Sequence, residues 1–192
     1  MDIDVDFSNR TRALELFKHI PASRVDNDTL VKHNTGVYFH PVPIFAEKNI
    51  SAIPHTQGEE HGYFKVDFLN VGIYNNVRDE AHLIALMNKD PIWELLEQDE
   101  FSNMLFHING YGDVLRQMKP KSIEQLAAVL AVIRPAKRYL VGKDWTTVNK
   151  EVWNINSNDG YAFKKSHSLA YAVAIVVQMN LICENLDMAN LP

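Results

Sequence analysis

The sequence has few of the features that identify whole classes of proteins. It contains one cysteine, Cys183, in 192 residues, so an internal disulfide is excluded and a reducing compartment is expected. It has no Walker-type loop, no zinc-binding spacing of cysteine and histidine, no Ser/His/Asp or Cys/His catalytic signature and no internal repeat. A disulfide-stabilised secreted domain, a P-loop protein and a zinc finger are therefore not indicated.

Long hydrophobic runs are also missing. The N-terminal residues are acidic and no apolar segment follows them, so a signal peptide is not expected. The most apolar stretch, residues 169–183, is shorter than the roughly 20 residues that span a bilayer, and it contains Gln178 and Asn180. It is predicted to be a buried helix, in a cytoplasmic protein with no membrane contact.

The composition that remains is that of an ordinary globular chain. Hydrophobic residues make up 46% and charged residues 22% of the sequence, which argues against extensive disorder. The net charge of −5 argues against indiscriminate DNA binding, but residues 116–165 alone carry +6. This asymmetry fits a carboxylate cluster that faces a phosphate-binding surface, and equally a solvated surface with a chance distribution of charge.

Hydrophobic periodicity divides the chain into a lobe that contains strands, residues 1–75, and a helical lobe, residues 76–192. Strands are predicted at 2–7, 36–40 and 62–69. Helices are predicted at 10–20, 78–87, 92–106 and 168–186, with another that begins at a Ser122 capping box. Irregular structure is predicted at 21–35 and 49–62, and a hairpin or loop at 145–155.

The first predicted strand carries three aspartates on one face, Asp2, Asp4 and Asp6. Carboxylates at i and i+2 of a strand point the same way, about 6.6 Å apart. With a third carboxylate from a neighbouring strand, such a pair could hold the metal ions of a phosphoryl-transfer site. The alternative is a solvent-facing edge strand protected by charge, and the position of Asp6 on the same face favours it.

Three separated segments together resemble the palm and fingers of the bacterial replicative DNA polymerase III alpha-subunit family (the C-family DNA polymerases). They are residues 2–7 (Asp-Ile-Asp-Val-Asp-Phe), 64–69 (Phe-Lys-Val-Asp-Phe-Leu) and 163–168 (Phe-Lys-Lys-Ser-His-Ser). Weaker matches between them are residues 32–38, residues 54–57 and Arg134-Pro135. The resemblance implies an α+β fold, with a small polymerase-beta-like nucleotidyltransferase palm sheet and a helical fingers-like lobe.

The resemblance also implies roles for particular residues. The metal-binding catalytic carboxylates would be Asp2, Asp4 and Asp67, with Mg²⁺ or Mn²⁺ as the cofactor. The nucleotide-binding residues would be Lys65, Arg134, Lys165 and His167. The implied reaction is DNA-directed transfer of a deoxynucleoside monophosphate from its triphosphate to a primer, and the implied partners are primer-template DNA and a replication protein.

Simpler roles are open for the basic residues. Arg134 could cap the last carbonyls of the helix before it, and the Lys-Ser-His segment could be a helix start with solvated charges.

The resemblance implies a condensed version of the family, of the kind expected from a phage or another mobile element. The given sequence shows no match to the family's phosphoesterase-like domain, clamp-binding region or oligonucleotide-binding fold, nor to the Gly-Ser element expected before the aspartates. These differences favour an alternative, a catalytically inactive remnant that serves as a replication accessory, a decoy for host replication or half of a split polymerase. Primer synthesis or terminal nucleotide addition on the same palm is a third interpretation.

Overall fold

The computed structural model describes residues 3–154 and 163–189, with side chains to Leu186. The fold is mixed α+β, with a four-stranded mixed sheet and several helices. The internal contacts of the chain separate two compact units between Asn76 and Val77. The boundary predicted from hydrophobic periodicity follows residue 75. Each unit is described in turn.

The first unit contains the sheet. Its strands are β1 (Ile3–Phe7), β2 (Ile20–Asp26), β3 (Thr29–Tyr38), β4 (Ile44–Phe45), β5 (Ile50–Ser51) and β6 (Val66–Asn70), and its helices are α1 (Arg10–Glu15), α2 (His55–Glu60) and a 3₁₀ helix at Gly72–Asn76. The main sheet has the order β1-β6-β3-β2, and β4 pairs with β5 separately. β1 runs parallel to β6, whereas β3 is antiparallel to both β6 and β2.

One face of this sheet is apolar and is covered by α1. Val37 and Phe68 form a core there with Ala13 and Leu14 of the helix. Phe7 stacks on Phe68 with ring centroids 4.8 Å apart. Because side chains alternate along a strand, the burial of this face leaves Asp4 and Asp67 on the opposite one.

Helix α1 is shorter than predicted. It begins after Asn9, whose side chain accepts a hydrogen bond from the backbone N–H of Arg12 (3.0 Å), and it ends at Glu15. The apolar residues that predicted a helix to residue 20 extend beyond the end of α1. Leu16 and Phe17 are 78% and 52% exposed, and Ile20 begins β2.

The prediction of irregular structure for residues 21–35 is wrong. This segment forms most of the β2–β3 hairpin, whose turn uses Asn27 and Asp28 with φ of 46° and 59°. Two successive positive φ angles at Asn and Asp are typical of a two-residue hairpin turn. The prediction failed because these strands are rich in polar residues and give little hydrophobic alternation. The predicted loop at 49–62 likewise contains α2.

The second unit is helical. Its helices are α3 (Glu80–Asn88), α4 (Asp99–Ser102), α5 (Gly112–Met118), α6 (Ile123–Val132), α7 (Trp145–Glu151) and α8 (Lys165–Ala189), with 3₁₀ helices at Trp93–Glu97 and Pro135–Leu140. Helix α6 lies at the centre, since every residue from 126 to 133 is at most 3% exposed. Its predicted start is confirmed, because Ser122 Oγ accepts from the N–H of Gln125 (3.2 Å).

Two predictions for this unit need correction. The expected hairpin or loop at 145–155 contains α7 instead, which Asp144 caps by accepting from the N–H of Thr147 (3.0 Å). The expected continuous helix at 92–106 is a 3₁₀ helix followed by the short α4. Gln98 separates the two because its backbone is extended.

Helix α8 contains the apolar stretch singled out in the sequence, and it is longer than that stretch. Residues Lys165–Leu186 are long and apolar enough to cross a membrane by length and composition, and 44% of the apolar window is buried within the protein. Core helices pass the same test. Here Ala172, Ile175 and Met179 of α8 belong to the same hydrophobic core as α6, as predicted for a buried helix.

Candidate functional site

Two of the predicted metal ligands lie opposite each other on neighbouring strands of the first unit. In the parallel pair of β1 and β6, Asp4 is the register partner of Asp67. Adjacent strands are about 4.8 Å apart and paired residues point to the same face, so both carboxyl groups leave the sheet side by side. Asp2 lies outside the described residues.

Asp67 is almost entirely buried, with an 11% exposed side chain. Its Oδ1 accepts a hydrogen bond from the hydroxyl of Thr35 (2.6 Å). Its Oδ2 forms an ion pair with the ammonium group of Lys65, whose side chain is 13% exposed. A buried carboxylate needs such partners because desolvation penalises an isolated charge. The predicted phosphate-binding lysine therefore lies directly beside the predicted metal ligand.

A bulge in β3 brings Thr35 to this carboxylate. Between the register pairs Pro21–Val37 and Ser23–Lys32, residues 33–36 of β3 lie opposite the single residue 22 of β2. Two backbone N–H groups at the bulge, those of Thr35 and Gly36, turn towards a side chain. Both donate to Nδ1 of His33, over 3.3 and 2.9 Å. Bulges redirect side chains in this way next to functional sites.

The side chain of Lys65 passes close to Gly36 of β3. A Cβ at this position would lie 2.9 Å from Cδ of Lys65 and 3.0 Å from Nδ1 of His33. Both distances are shorter than ordinary carbon contacts, so any larger residue would displace the lysine. The glycine in the segment 32–38, one of the weaker family matches, thus has a structural reason at this site.

His33 is neutral in this arrangement. Because its Nδ1 accepts two N–H bonds, the proton must lie on Nε2. Burial lowers the pKa of His33, although the charge of Asp67 opposes the effect. The 3.7 Å between Nδ1 and Oδ1 of Asp67 is therefore not an ion pair. The ring of His55 packs edge-on against His33, 4.7 Å between centroids.

The residues of this site suit a hard divalent cation. Magnesium commonly takes one or two protein carboxylates and completes its shell with water and substrate phosphates, and Asp4 and Asp67 supply such a pair. Within the described parts of the chain, no group of three or more His, Cys, Asp or Glu is placed to hold a metal. The structure therefore presents two neighbouring carboxylates, one of which is paired with Lys65.

In the second unit, two of the predicted nucleotide-binding residues meet around Phe163. The guanidinium of Arg134 lies 4.9 Å from the centroid of this ring. His167 stacks on the ring at 6.2 Å, and Tyr171 stacks on it at 5.7 Å with an angle of 4° between the planes. Arginine on an aromatic face keeps its planar donors in a fixed orientation.

Arg134 does not use its guanidinium to cap α6. Arg138 caps the end of this helix instead, since its Nη1 donates to the carbonyl of Ile133 (3.2 Å). Among the contacts that the structure describes, the buried Nε of Arg134 has no hydrogen-bond partner. Lys165 is separate from the Phe163 cluster, with its ammonium 5.9 Å from the ring centroid of Trp153.

His107 makes the stability of the second unit sensitive to pH. Its ring lies 4.3 Å from Tyr171, and burial, with a smaller contribution from Arg134, lowers its pKa. Since the unfolded chain binds a proton at an ordinary pKa of about 6.5, the free energy of unfolding should fall as the pH decreases below that value. Above it the effect should vanish, because His107 is neutral in both states.

A His107→Phe variant tests this effect in chemical denaturation at about pH 7.5 and about pH 5.5. The wild-type protein should lose more stability on acidification than the variant, and hydrogen exchange of the α8 amides should place the difference in this unit. His61→Phe, at an exposed position, should behave as wild type. An equal loss in wild type and His107→Phe would contradict the assignment.

Thr35, His33 and Phe163 are the site residues that the sequence did not identify. The first two lie in segment 32–38 and the third in segment 163–168, both of which match the family. Their contacts depend on a bulge and a ring stack, which have no periodic signature in the sequence.

Comparisons with protein-family models, curated proteins and solved structures found no match to this chain. The functional argument therefore depends on its own residues.

Proposed function

We propose that this chain is a condensed member of the polymerase III alpha type, with a nucleotidyltransferase palm in its first unit, and that it adds deoxynucleotides to a DNA primer. The observation that carries the proposal is the register pairing of Asp4 with Asp67 on parallel strands. Magnesium is commonly bound through one or two protein carboxylates together with substrate phosphates, and this pair offers such ligands.

The side chains around Asp67 have distinct tasks in this proposal. Asp4 and Asp67 hold Mg²⁺ or Mn²⁺, which supplies Lewis-acid stabilisation of the developing phosphate charge. Thr35 fixes the orientation of the Asp67 carboxylate through its hydroxyl. Lys65 places a positive charge within reach of both the carboxylate and an incoming triphosphate. Electrostatic positioning of this kind supplies most of the catalysis in phosphoryl transfer.

The predicted nucleotide-binding residues of the second unit are a separate part of the proposal. Arg134 is held against Phe163, and His167 stacks on the same ring. Lys165 lies at the start of α8. These three residues are proposed to bind triphosphate oxygens, for which arginine is suited by its planar donors. Primer-template DNA and deoxynucleoside triphosphates are the proposed partners.

A second candidate function is favoured by one specific contact. Both oxygens of Asp67 already have partners within the chain, Thr35 and Lys65. A cation must therefore compete with Lys65 for Oδ2. If Lys65 prevails, the fold is a non-catalytic remnant that acts in replication by binding a partner protein, and Asp67 is a structural residue.

Manganese titration followed by electron paramagnetic resonance separates the two candidates. Wild-type protein with a deoxynucleoside triphosphate should bind Mn²⁺, and Asp4→Asn should weaken this binding about tenfold or more. The matched control is Asp26→Asn, which removes the same charge from a half-exposed position on β2. Primer extension by the wild type should depend on added Mg²⁺. It should decline in Asp4→Asn but not in Asp26→Asn.

Two results would contradict catalysis. One is equal Mn²⁺ affinity in wild type and Asp4→Asn. The other is the absence of Mg²⁺-dependent extension by folded wild-type protein. Either result supports the binding-only remnant.

A further inference from the structure

Arg10 is held at both its backbone and its side chain, close to the carboxylate site of the first unit. It is the first residue of α1 and follows β1, which ends at Phe7. Its backbone N–H donates to Oδ1 of Asn70, the last residue of β6 (3.0 Å), and its Nη2 donates to the carbonyl of Thr35 on β3 (3.2 Å). One residue therefore joins the end of the parallel strand pair to the neighbouring antiparallel strand.

The carbonyl that Arg10 holds belongs to the bulge of β3. The described pairing of β3 with β6 covers Gly36 and Val37 and stops before Thr35, and the bulge interrupts the pairing with β2 on the other side. A backbone carbonyl that leaves its ladder needs another donor. Arg10 supplies that donor, and a hydrogen bond from a charged donor is stronger than one between neutral groups.

The same residue, Thr35, presents its hydroxyl to Asp67. Its Oγ1 donates to Oδ1 of the carboxylate over 2.6 Å. The carbonyl carbon and the Cβ of Thr35 are bonded to one Cα, so a backbone rotation that moves the carbonyl also moves the hydroxyl. The torsion between Cα and Cβ offers little compensation, because a β-branched side chain is restricted at χ1. The direction of the hydroxyl therefore depends on how the Thr35 backbone is held.

We propose that Arg10 is a positioning residue of the carboxylate site. By holding the carbonyl of Thr35 it keeps the threonine hydroxyl on Oδ1 of Asp67, and it acts on the carboxylate through Thr35 alone. Residues that orient a metal ligand commonly change metal affinity by about 10–100-fold. The inference rests on the proposed function for the use of Asp67 as a metal ligand, whereas the linkage from Arg10 through Thr35 to Asp67 needs no metal.

The direct measurement is the side-chain carboxyl ¹³C resonance of Asp67, recorded by NMR at constant pH in EDTA without triphosphate. Asp67→Asn assigns this resonance, because the variant lacks it. Thr35→Val keeps the shape of the side chain but removes the hydroxyl, so it should shift the resonance. Arg10→Met should shift it in the same direction and by less. Arg10→Met added to Thr35→Val should give no further shift, because the hydroxyl through which Arg10 acts is then absent.

The substitution of Arg10 removes one described side-chain contact. Among the contacts that the structure describes, the buried Nε of Arg10 has no hydrogen-bond partner, so the bond from Nη2 to Thr35 is the contact that is lost. The amides of Thr35 and Gly36, which donate to His33 within the bulge, should exchange their hydrogens about tenfold faster in Arg10→Met.

Metal binding and kinetics connect this linkage to the proposed function. With a deoxynucleoside triphosphate present, Thr35→Val should weaken Mn²⁺ binding about tenfold and Arg10→Met about fivefold. The double variant should bind Mn²⁺ no more weakly than Thr35→Val. In primer extension by Arg10→Met, kcat should fall while KM for the triphosphate stays unchanged, because Arg10 does not touch the substrate.

The matched control is Arg12→Met, which removes the same charge and the same donors from an exposed position on α1. It should leave the Asp67 resonance, the exchange of the bulge amides and the Mn²⁺ affinity as in wild type. If Arg10→Met does not fold, Arg10→Gln takes its place, since its side chain ends well short of the position of Nη2.

Three results would overturn the inference. They are an unchanged Asp67 resonance in the folded Arg10 variant, an equal shift in Arg12→Met, and additive shifts of Arg10→Met and Thr35→Val. A raised KM for the triphosphate with an unchanged Asp67 resonance would instead make Arg10 a phosphate contact. If the expected NMR shifts occur but no variant binds Mn²⁺, the linkage stands and the proposed function fails, so the two are tested separately.

Discussion

An Asp67→Asn variant should lose about 3 kcal/mol of unfolding free energy and about a hundredfold or more in metal-dependent primer extension. The stability loss follows from Lys65, whose charge would lie at a site only 13% exposed without its partner carboxylate. A buried charge that loses its counter-ion costs more than the pair itself contributes. Under the proposed function, the loss of extension follows from removing one of the two paired carboxylates.

The double variant Asp67→Asn with Lys65→Met separates these two effects. It removes both charges, so most of the lost stability should return, whereas primer extension should stay low. Chemical denaturation gives the free energies, and hydrogen exchange of the β6 amides places the change in this sheet. Recovery of extension together with stability would contradict a catalytic role for Asp67.

The matched control is the pair Arg24 and Asp26, which has the same spacing on a strand but is 41% and 44% exposed. The corresponding substitutions, Arg24→Met and Asp26→Asn, should interact by less than about 1 kcal/mol, as exposed pairs do. A double-mutant cycle measures the interaction free energy of Lys65 and Asp67 in the same way. If that free energy were no larger than in this control, the buried pair would not be the cause of the stability loss.

An Asn180→Leu variant should lose about 2–3 kcal/mol of unfolding free energy. Asn180 is 2% exposed in α8, and its Nδ2 donates to the carbonyls of Leu86 and Lys89, each over 2.9 Å. These carbonyls lie at the C-terminal end of α3, where helix acceptors have no partner within the helix. A leucine of similar volume fills the space but leaves these acceptors without the donor.

An Asn180→Asp variant separates the effect of losing the Nδ2 donor from the effect of changing the side-chain volume. An aspartate has the same shape but is an acceptor at neutral pH, so it should lose at least as much stability as Asn180→Leu. Asn185→Ala is the control, because it changes an exposed asparagine on the same helix and should alter stability by less than about 0.5 kcal/mol. Chemical denaturation with hydrogen exchange of the α3 amides measures each variant. Full stability of Asn180→Leu would show that the carbonyls find other partners.

Several features were predictable from local sequence. The alternation of residues 2–7 and 62–69 gives strands with one apolar face, since a period of two fixes the side of every side chain. Those strands are β1 and β6, which place Asp4 and Asp67 away from the apolar face. The second prediction was too long, because β6 begins at Val66 and residues 62–65 lie outside the strand. The start of α6 at Ser122 was predictable because capping depends on neighbouring residues alone.

Other features have no local signal. The polar hairpin of β2 and β3 was missed because its stability comes from pairing within the sheet rather than from an apolar pattern. The Thr35 and His33 contacts arise from a bulge that adds residues to one strand only. Arg134 contacts Phe163, a residue far from it in the chain, and sequence periodicity gives no information about such contacts.

The sequence by itself determined which residues share a strand face or begin a helix, because those properties follow from backbone periodicity and from hydrogen bonds between near neighbours. Only the tertiary structure decided that β1 lies parallel to β6 in the register that pairs Asp4 with Asp67, and that Lys65 crosses Gly36 to reach the carboxylate. Strand register is set by the burial of a whole sheet face and by the ladder of hydrogen bonds. Neither the burial of the face nor the ladder can be predicted from one segment of the sequence.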